Sequence, residues 1–182
     1  MKLFLSLFLV VFLISCQDDV LVKPKAALRL EYPTPKYQRL MLPCPFTFDV
    51  NTKSTPIPKD NCWDNLDYPR MKGTIYLTYY PVRDNLKALL YDAQKLTYDH
   101  TVKASNIIEQ QRVDSVSNVY GMFYMINGNA ATPAQFYVTD SVSHFVTGSV
   151  YFESKPNFDS IYPAAMYLRE DMRKIMETIR WE

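Results

Sequence analysis

Hydrophobic and polar positions follow three patterns along the chain. Residues 3–14 form an apolar run that only Ser6 interrupts. Further along, nine of the twelve prolines lie between Pro24 and Pro81, where they break the apolar stretches into short pieces. Proline fixes its own φ and pushes the preceding residue toward extended geometry. Regular periodicity begins near residue 73. These patterns predict a targeting segment, an irregular stretch and a regular remainder.

The chain is accordingly divided into three segments. Residues 1–15 are predicted to be a signal peptide and residues 16–27 a tether. The rest, 28–182, is expected to form one domain, because its length is ordinary for a single domain. Its first part, 28–70, is proline-rich and is predicted to contain short strands between irregular turns.

Two segments inside the proline-rich part have distinct patterns. Residues 46–50 alternate between apolar and polar side chains, which predicts a strand. Residues 51–61 are rich in Lys, Pro, Ser and Thr, which predicts an exposed loop.

The regular part begins with a strand and a helix. Ile75 and Leu77 share one face of a strand predicted at 73–79. A helix is expected from about 84 to about 110, with Asp84 as its N-cap. Three further strands are then expected at 118–126, 134–139 and 144–153.

Two local features of the C-terminal part carry further expectations. A final helix is expected to begin with Ser160 as its N-cap, which would place Pro163 at the third helical position, where no backbone hydrogen bond is lost. Gly148, in the middle of a predicted strand, indicates a bulge or the close approach of another backbone.

The order of elements predicts the fold class. Strands occur in runs rather than in alternation with helices, which favours an α+β fold with a largely antiparallel sheet of about five strands and two main helices. The strand at 118–126 is apolar on both faces and is therefore expected in the middle of a sheet covered on both sides. This arrangement resembles the α-β-α sandwich of PsbP/Mog1-like domains.

The end of the apolar run predicts a lipid anchor. Residues 13–16 read Leu-Ile-Ser-Cys, which is similar to a bacterial lipobox. In such proteins the cysteine, here Cys16, carries diacylglycerol and an N-acyl chain such as palmitate, and it becomes the mature N-terminus. Two or more acyl chains hold a protein durably on a bilayer. An uncleaved signal anchor or an ordinary secretory signal is the alternative. We expect attachment to the outer membrane, with the domain facing the periplasm.

The other two cysteines, Cys44 and Cys62, are predicted to form a disulfide. An exported domain meets an oxidising compartment, and closing a loop with 17 intervening residues would stabilise the fold by ~3 kcal/mol. Two free buried thiols remain the alternative. The spacing matches neither a C-x-x-C redox motif nor a metal site.

Composition excludes several classes of function. The four glycines are too scattered for a glycine-rich phosphate loop or a dinucleotide fingerprint. Removal of Lys2 with the signal leaves 19 basic and 19 acidic residues, a balance that argues against nucleic-acid binding. The two histidines, His100 and His144, lie on apolar faces of predicted elements, and G-x-S-x-G and H-E-x-x-H are absent. We predict no catalytic residue, no metal site and no cofactor besides the covalent lipid.

Aromatic residues are abundant, with 14 tyrosines, 10 phenylalanines and two tryptophans. Tyrosine and tryptophan combine apolar area with a polar tip, which suits protein interfaces as well as half-buried sheets. Core packing is the alternative for each of them. The candidate interface residues are Trp63, Tyr76, Tyr79, Tyr80, Tyr151 and Trp181.

Besides the lipobox, the mature chain contains a set of short motifs: Cys-Pro-Phe at 44–46, Cys-Trp at 62–63, 73–79, 98–104, 128–131, 135–141, His-Phe at 144–145, 148–152 and 169–171. This set gives the mature chain a resemblance to the gliding-motility lipoprotein family GldD of the Bacteroidota. It implies an envelope lipoprotein required for gliding and for secretion through the type IX system. It implies no catalytic residues, and its partners would be other envelope proteins of those two systems.

We therefore expect a non-enzymatic, lipid-anchored envelope component that acts through protein contacts. Two alternatives stay open. One is a hydrolase acting on an envelope polymer, and the other is a lipoprotein that binds a small ligand in a pocket between sheet and helix.

Overall fold

The computed structural model of the protein describes residues 30–154 and 157–182. The predicted signal peptide, Cys16 and the tether lie outside the described residues. The described residues form two α-helices, α1 (Leu86–Tyr98) and α2 (Phe158–Thr178). They also form ten strands: β1 (Tyr37–Met41), β2 (Phe46–Asn51), β3 (Thr55–Ile57), β4 (Trp63–Tyr68), β5 (Gly73–Pro81), β6 (Ala104–Asp114), β7 (Val119–Gly128), β8 (Ala134–Thr139), β9 (His144–Phe152) and β10 (Arg180–Trp181).

The strands build two antiparallel sheets. The large sheet has seven strands in the order β3-β4-β5-β9-β8-β7-β6, and the small sheet has three in the order β1-β2-β10. The predicted α+β class and the antiparallel pairing are confirmed, but the expectation of about five strands was too low. β3 lies inside the predicted loop 51–61, where Thr55 and Ile57 pair with β4.

One face of the large sheet is covered by α2 and the small sheet. The buried stripe of α2, which includes Leu168, Met172 and Ile175, shares a core with Phe48 of β2 and Ile75 of β5. These three helical residues recur at spacings of four and three, so they lie on one side of the helix. Burial of such side chains contributes roughly 1.5–3 kcal/mol each.

The opposite face is covered by α1 only in part. Leu89, Leu90 and Ala93 pack against a cluster that includes Tyr124 of β7 and Tyr137 of β8. The sheet therefore has helices on both faces, as predicted. On the α1 side, the helix does not cover the β3-β4-β5 end of the sheet, and the side chains there are partly or largely exposed.

The first helix is shorter than predicted. It ends at Tyr98, a short 3-10 turn spans Asp99–Val102, and residues 104–114 form β6 rather than helix. Ala104, Ile107 and Ile108 sit at helical spacing by coincidence. Because β6 is an edge strand with mostly exposed residues, it lacks the strict alternation that marks a half-buried strand.

Predicted helix starts were also wrong. Asn85, not Asp84, is the N-cap of α1, and Asp84 adopts a left-handed φ of 58°. Asn157, not Ser160, precedes α2, so Pro163 lies one turn inside the helix rather than in its first turn. A proline there removes one backbone hydrogen bond from the helix.

Two expectations about the sheet need correction. The strand apolar on both faces is β7, which lies next to the edge of the large sheet rather than in its middle. Gly148 causes no bulge, because the register between β5 and β9 is unbroken. It is a side chain rather than a backbone that approaches Gly148, since a Cβ there would overlap the ring of Phe136.

Candidate functional site

Aromatic side chains collect on the part of the large sheet that α1 leaves uncovered. Trp63 pairs with Thr78 across β4 and β5, and Tyr76 lies on the same face of β5. Trp63 is 51% exposed and Tyr76 is 39% exposed. The ring of Tyr76 meets that of Tyr151 edge-on, with 5.7 Å between centroids. Together with Tyr80, which is also exposed, these residues form what we call the aromatic face.

The positions between these aromatic residues are polar but uncharged. Asn65 and Ser149 flank Tyr76 on the neighbouring strands, and Thr74 lies opposite Tyr151. Asp67, a charged residue at the β3-β4-β5 end of the sheet, accepts a hydrogen bond from Thr74 Oγ1 at 3.0 Å. Removing such a surface from water costs less than removing unpaired charges, because neutral groups are weakly solvated by comparison.

Two of the six predicted interface residues lie on the opposite face of the sheet. The hydroxyl of Tyr79 hydrogen-bonds to His144 Nδ1 at 3.0 Å, and the ring of Trp181 stacks on His144 with 5.1 Å between centroids. Trp181 Nε1 also donates to the carbonyl oxygen of Asn118 at 2.9 Å. Both aromatic residues are only partly exposed, and their contacts join β10 to the large sheet.

The predicted disulfide between Cys44 and Cys62 is present, so the alternative of two free thiols is wrong. The two Cα atoms are 5.7 Å apart. Cys44 precedes β2 and Cys62 precedes β4, so the bond connects the small sheet to the large one.

His100 lies in the 3-10 turn after α1 rather than on the helix itself. Its Nε2 atom is buried and has no hydrogen-bonding partner among the described residues. Burial lowers the pKa of His100, which favours the neutral imidazole. Within residues 30–154 and 157–182, no group of three His, Cys, Asp or Glu side chains could hold a metal ion.

A buried carboxyl, to which the sequence assigned no role, lies between α2 and the small sheet. Asp171 Oδ1 accepts a hydrogen bond from the hydroxyl of Tyr37 at 2.6 Å, and its Oδ2 accepts one from Asn51 Nδ2 at 2.8 Å. The Asn51 amide also donates to the hydroxyl of Tyr167 at 2.9 Å. Desolvation raises the pKa of Asp171, and these hydrogen bonds oppose the shift. Burial and the nearby carboxyl also raise the pKa values of Tyr37 and Tyr68.

A cavity of about 280 Å³ opens near this network. The N-terminal segment 30–33 forms one side of it, and the turn Pro69–Met71 between β4 and β5 forms another. A second cavity, between the sheet and α1, measures only about 40 Å³, little more than one water molecule occupies. A ligand at this place between the sheet and α1, one form of the alternative above, would therefore have little room. The large cavity is lined by Leu30, Glu31, Tyr32, Pro33, Lys53, Tyr68, Pro69, Arg70 and Met71.

The model of a family described as gliding motility lipoprotein GldD matches residues 17–181. The chain belongs to the GldD family. This confirms the resemblance stated above, and the match includes both the aromatic face and the cavity. No curated protein matches the chain.

Membership of the GldD family supports a lipoprotein attached to a membrane of the cell envelope, with a role in gliding motility. Cys16 immediately precedes the matched residues. Over the part of the chain that the structure describes, neither α-helix has the length and apolar character needed to span a bilayer.

Proposed function

We propose that this GldD-family protein is a non-enzymatic, lipid-anchored component of the gliding and type IX secretion systems. In this proposal Cys16 carries the lipid, and the aromatic face binds another envelope protein. The observation that carries the proposal is the cluster of exposed Trp63, Tyr76 and Tyr80 with half-buried Tyr151 on a sheet face that α1 leaves open.

The chemistry of the aromatic face suits a protein partner. Tryptophan and tyrosine are the residues most enriched among those that dominate binding energy at interfaces. Trp63 and Tyr76 are borne on neighbouring strands of a seven-stranded sheet, so little flexibility is lost when a partner docks. Ile57, which is also exposed, extends the apolar surface onto β3.

The lipid would keep this surface near a membrane. The 14 residue-to-residue steps from Cys16 to Leu30 reach at most roughly 50 Å when fully extended. The domain would thus stay close to the bilayer while it contacts envelope proteins, and we place it on the periplasmic side of the outer membrane.

The arrangement of titratable groups supports a non-catalytic role. His144 is held by Tyr79 and Trp181, and Asp171 is buried among hydrogen-bond donors. Neither is paired with a Ser or Cys nucleophile in the described residues, whereas nucleophilic catalysis needs such a pair.

The proposal is tested by site-specific photo-cross-linking in the native organism. A photoreactive residue at Tyr76 should capture envelope proteins of the gliding or type IX systems, identified by mass spectrometry. The same residue at Tyr91, which is 65% exposed on α1, is the matched control and should capture them at least about tenfold less. Cys16→Ser should release the protein from the membrane fraction and reduce capture.

A double variant measures the consequence for secretion. Trp63→Ala with Tyr76→Ala should reduce type IX secretion and gliding at unchanged protein abundance, because loss of interface anchors typically costs 2 kcal/mol or more in binding, roughly a thirtyfold loss of affinity. Tyr91→Ala with Tyr162→Ala, which removes two exposed aromatics elsewhere, should leave both unchanged. Normal secretion and gliding in the first variant would contradict the proposal.

The enzyme alternative predicts a different result. If the protein were a hydrolase that uses its histidines, a folded His100→Ala/His144→Ala variant at normal abundance would lose function. Under our proposal this variant secretes normally.

A further inference from the structure

We infer that the large cavity between segment 30–33 and the turn Pro69–Met71 binds a small amphiphilic anion, with an apolar body and a carboxylate or phosphate head. None of its lining residues belongs to the aromatic face. This site therefore adds to the proposed function and does not depend on it.

The apolar part of the lining fixes the size and character of the ligand body. Leu30, Tyr32, Pro33 and Met71 supply aliphatic and aromatic surface. A volume of about 280 Å³ holds roughly nine groups the size of a water molecule or a methylene, at ~30 Å³ each. A ligand of this size corresponds to a short acyl chain with its head group.

Two cations at the same cavity determine the charge of the head group. Lys53 and Arg70 both line the cavity and are exposed. Neither side chain forms an ion pair or hydrogen bond with another described residue. Glu31 is the acid among the lining residues, so the lining carries a net charge of +1. Lysine and arginine bind carboxylates and phosphates through charge-assisted hydrogen bonds.

The inner wall of the cavity is formed by Tyr68. Its side chain lines the cavity and is only 2% exposed. The buried carboxyl of Asp171 lies near its hydroxyl and, together with burial, raises the pKa of Tyr68. The cavity is therefore bounded on this side by the packed core, and its charged groups lie at the rim.

One side of the cavity is formed by an irregular segment. The ring of Tyr32 meets that of Tyr167 with 5.4 Å between centroids, while residues 30–36 belong to no helix or strand. Because the cavity is partly open to solvent, ligand entry would leave both sheets intact.

The inference is tested by isothermal titration calorimetry of the mature chain from residue 16. The chain carries Cys16→Ser, so that no attached lipid can occupy the cavity. Octanoate and octyl phosphate are the two anionic probes, and octanol and octyltrimethylammonium have the same chain without the negative charge. At least one anion should bind with a dissociation constant below about 1 mM, and at least about tenfold more tightly than octanol or the cation. Preference for octyl phosphate would identify a phospholipid-type head, and preference for octanoate a fatty-acid head.

Two variants tie the binding to this cavity. Lys53→Ala with Arg70→Ala should weaken anion binding at least about tenfold, while Lys59→Ala with Lys87→Ala, which removes two exposed cations elsewhere, should not. Absence of binding by both anions, equal binding of octanol, or unchanged affinity in the Lys53/Arg70 variant would overturn the inference.

Discussion

Replacing Asp171 by Ala should lower the free energy of unfolding by about 3 kcal/mol or more, because it leaves buried hydrogen-bond donors without an acceptor. Tyr37 and Asn51 both donate to this carboxyl. Asp171 is 1% exposed, so water cannot take the place of the lost acceptor. The two donors come from β1 and β2, so the loss would loosen the small sheet where it meets α2.

Two matched variants separate the network from the helix. Asp171→Asn keeps an acceptor oxygen for Asn51 and an amide that can donate to the Tyr37 hydroxyl, so it should cost less than half as much. Glu170→Ala removes the exposed neighbouring acid, whose contact is an ion pair with Arg173, and should change stability by less than about 0.5 kcal/mol. Urea unfolding measures all three. A similar small loss for Asp171→Ala and Glu170→Ala would refute the role of the network.

The same carboxyl should make stability depend on pH. Burial raises its pKa above the ordinary value of 3.8, so the native state binds this proton more tightly than the unfolded state does. The stability that protonation confers is fully present below pH 3.8 and is lost as pH rises through the higher native pKa. The free energy of unfolding of the wild type minus that of Asp171→Asn should therefore increase as pH falls toward that value. A decrease over the same range would contradict the assigned direction.

Removing the disulfide should have an effect of similar size. Cys44→Ala with Cys62→Ala opens a loop of 17 intervening residues, and the chain-entropy relation gives a loss of about 3 kcal/mol in the free energy of unfolding. The bond also connects the small sheet to β4, so its loss should act on the packing of the two sheets.

A reductant supplies the control for this prediction. It should destabilise the wild type by a similar amount and leave the double variant unchanged. If the variant unfolds at the same denaturant concentration as the oxidised wild type, the bond does not stabilise the fold.

The sequence predicted best those strands that lie inside the sheet. β5 and β9 have neighbours on both sides and one face on the main core, so Ile75, Leu77 and Val150 are buried at every second position. β6 has a neighbour on one side only, and Ile108 and Val113 remain exposed. Because apolar and polar residues do not alternate in β6, the sequence contained no strand pattern to set against the chance helical spacing of its apolar residues.

The candidate sites were predictable to different degrees. Because side chains alternate along β5, Tyr76 lies on the face opposite that of Ile75 and Leu77. Its exposure could therefore be predicted from the sequence. Trp181 could not be assigned, because its contact with His144 depends on β10 pairing with β2. Asp171 lies three residues after Leu168, on the buried side of α2, and an acid at such a position is a signal that could have been recognised.

The cavity depends on contacts between segments far apart in sequence. Leu30, Lys53 and Met71 come from three different turns or irregular segments, and none has a periodic pattern around it. Their meeting follows from the hairpin of β3 with β4 and from the path of the chain before β1.

The pairing of β10 with β2 has a consequence for biogenesis. Arg180 lies opposite Thr47, and the backbone amide of Glu182 donates to the carbonyl of Pro45, so β2 gains one of its two neighbours only after residues 180–182 have been synthesised. A polypeptide still shorter than this lacks the third strand of the small sheet. Completion of the small sheet is therefore a late step, and contacts over such a distance in sequence make it slow.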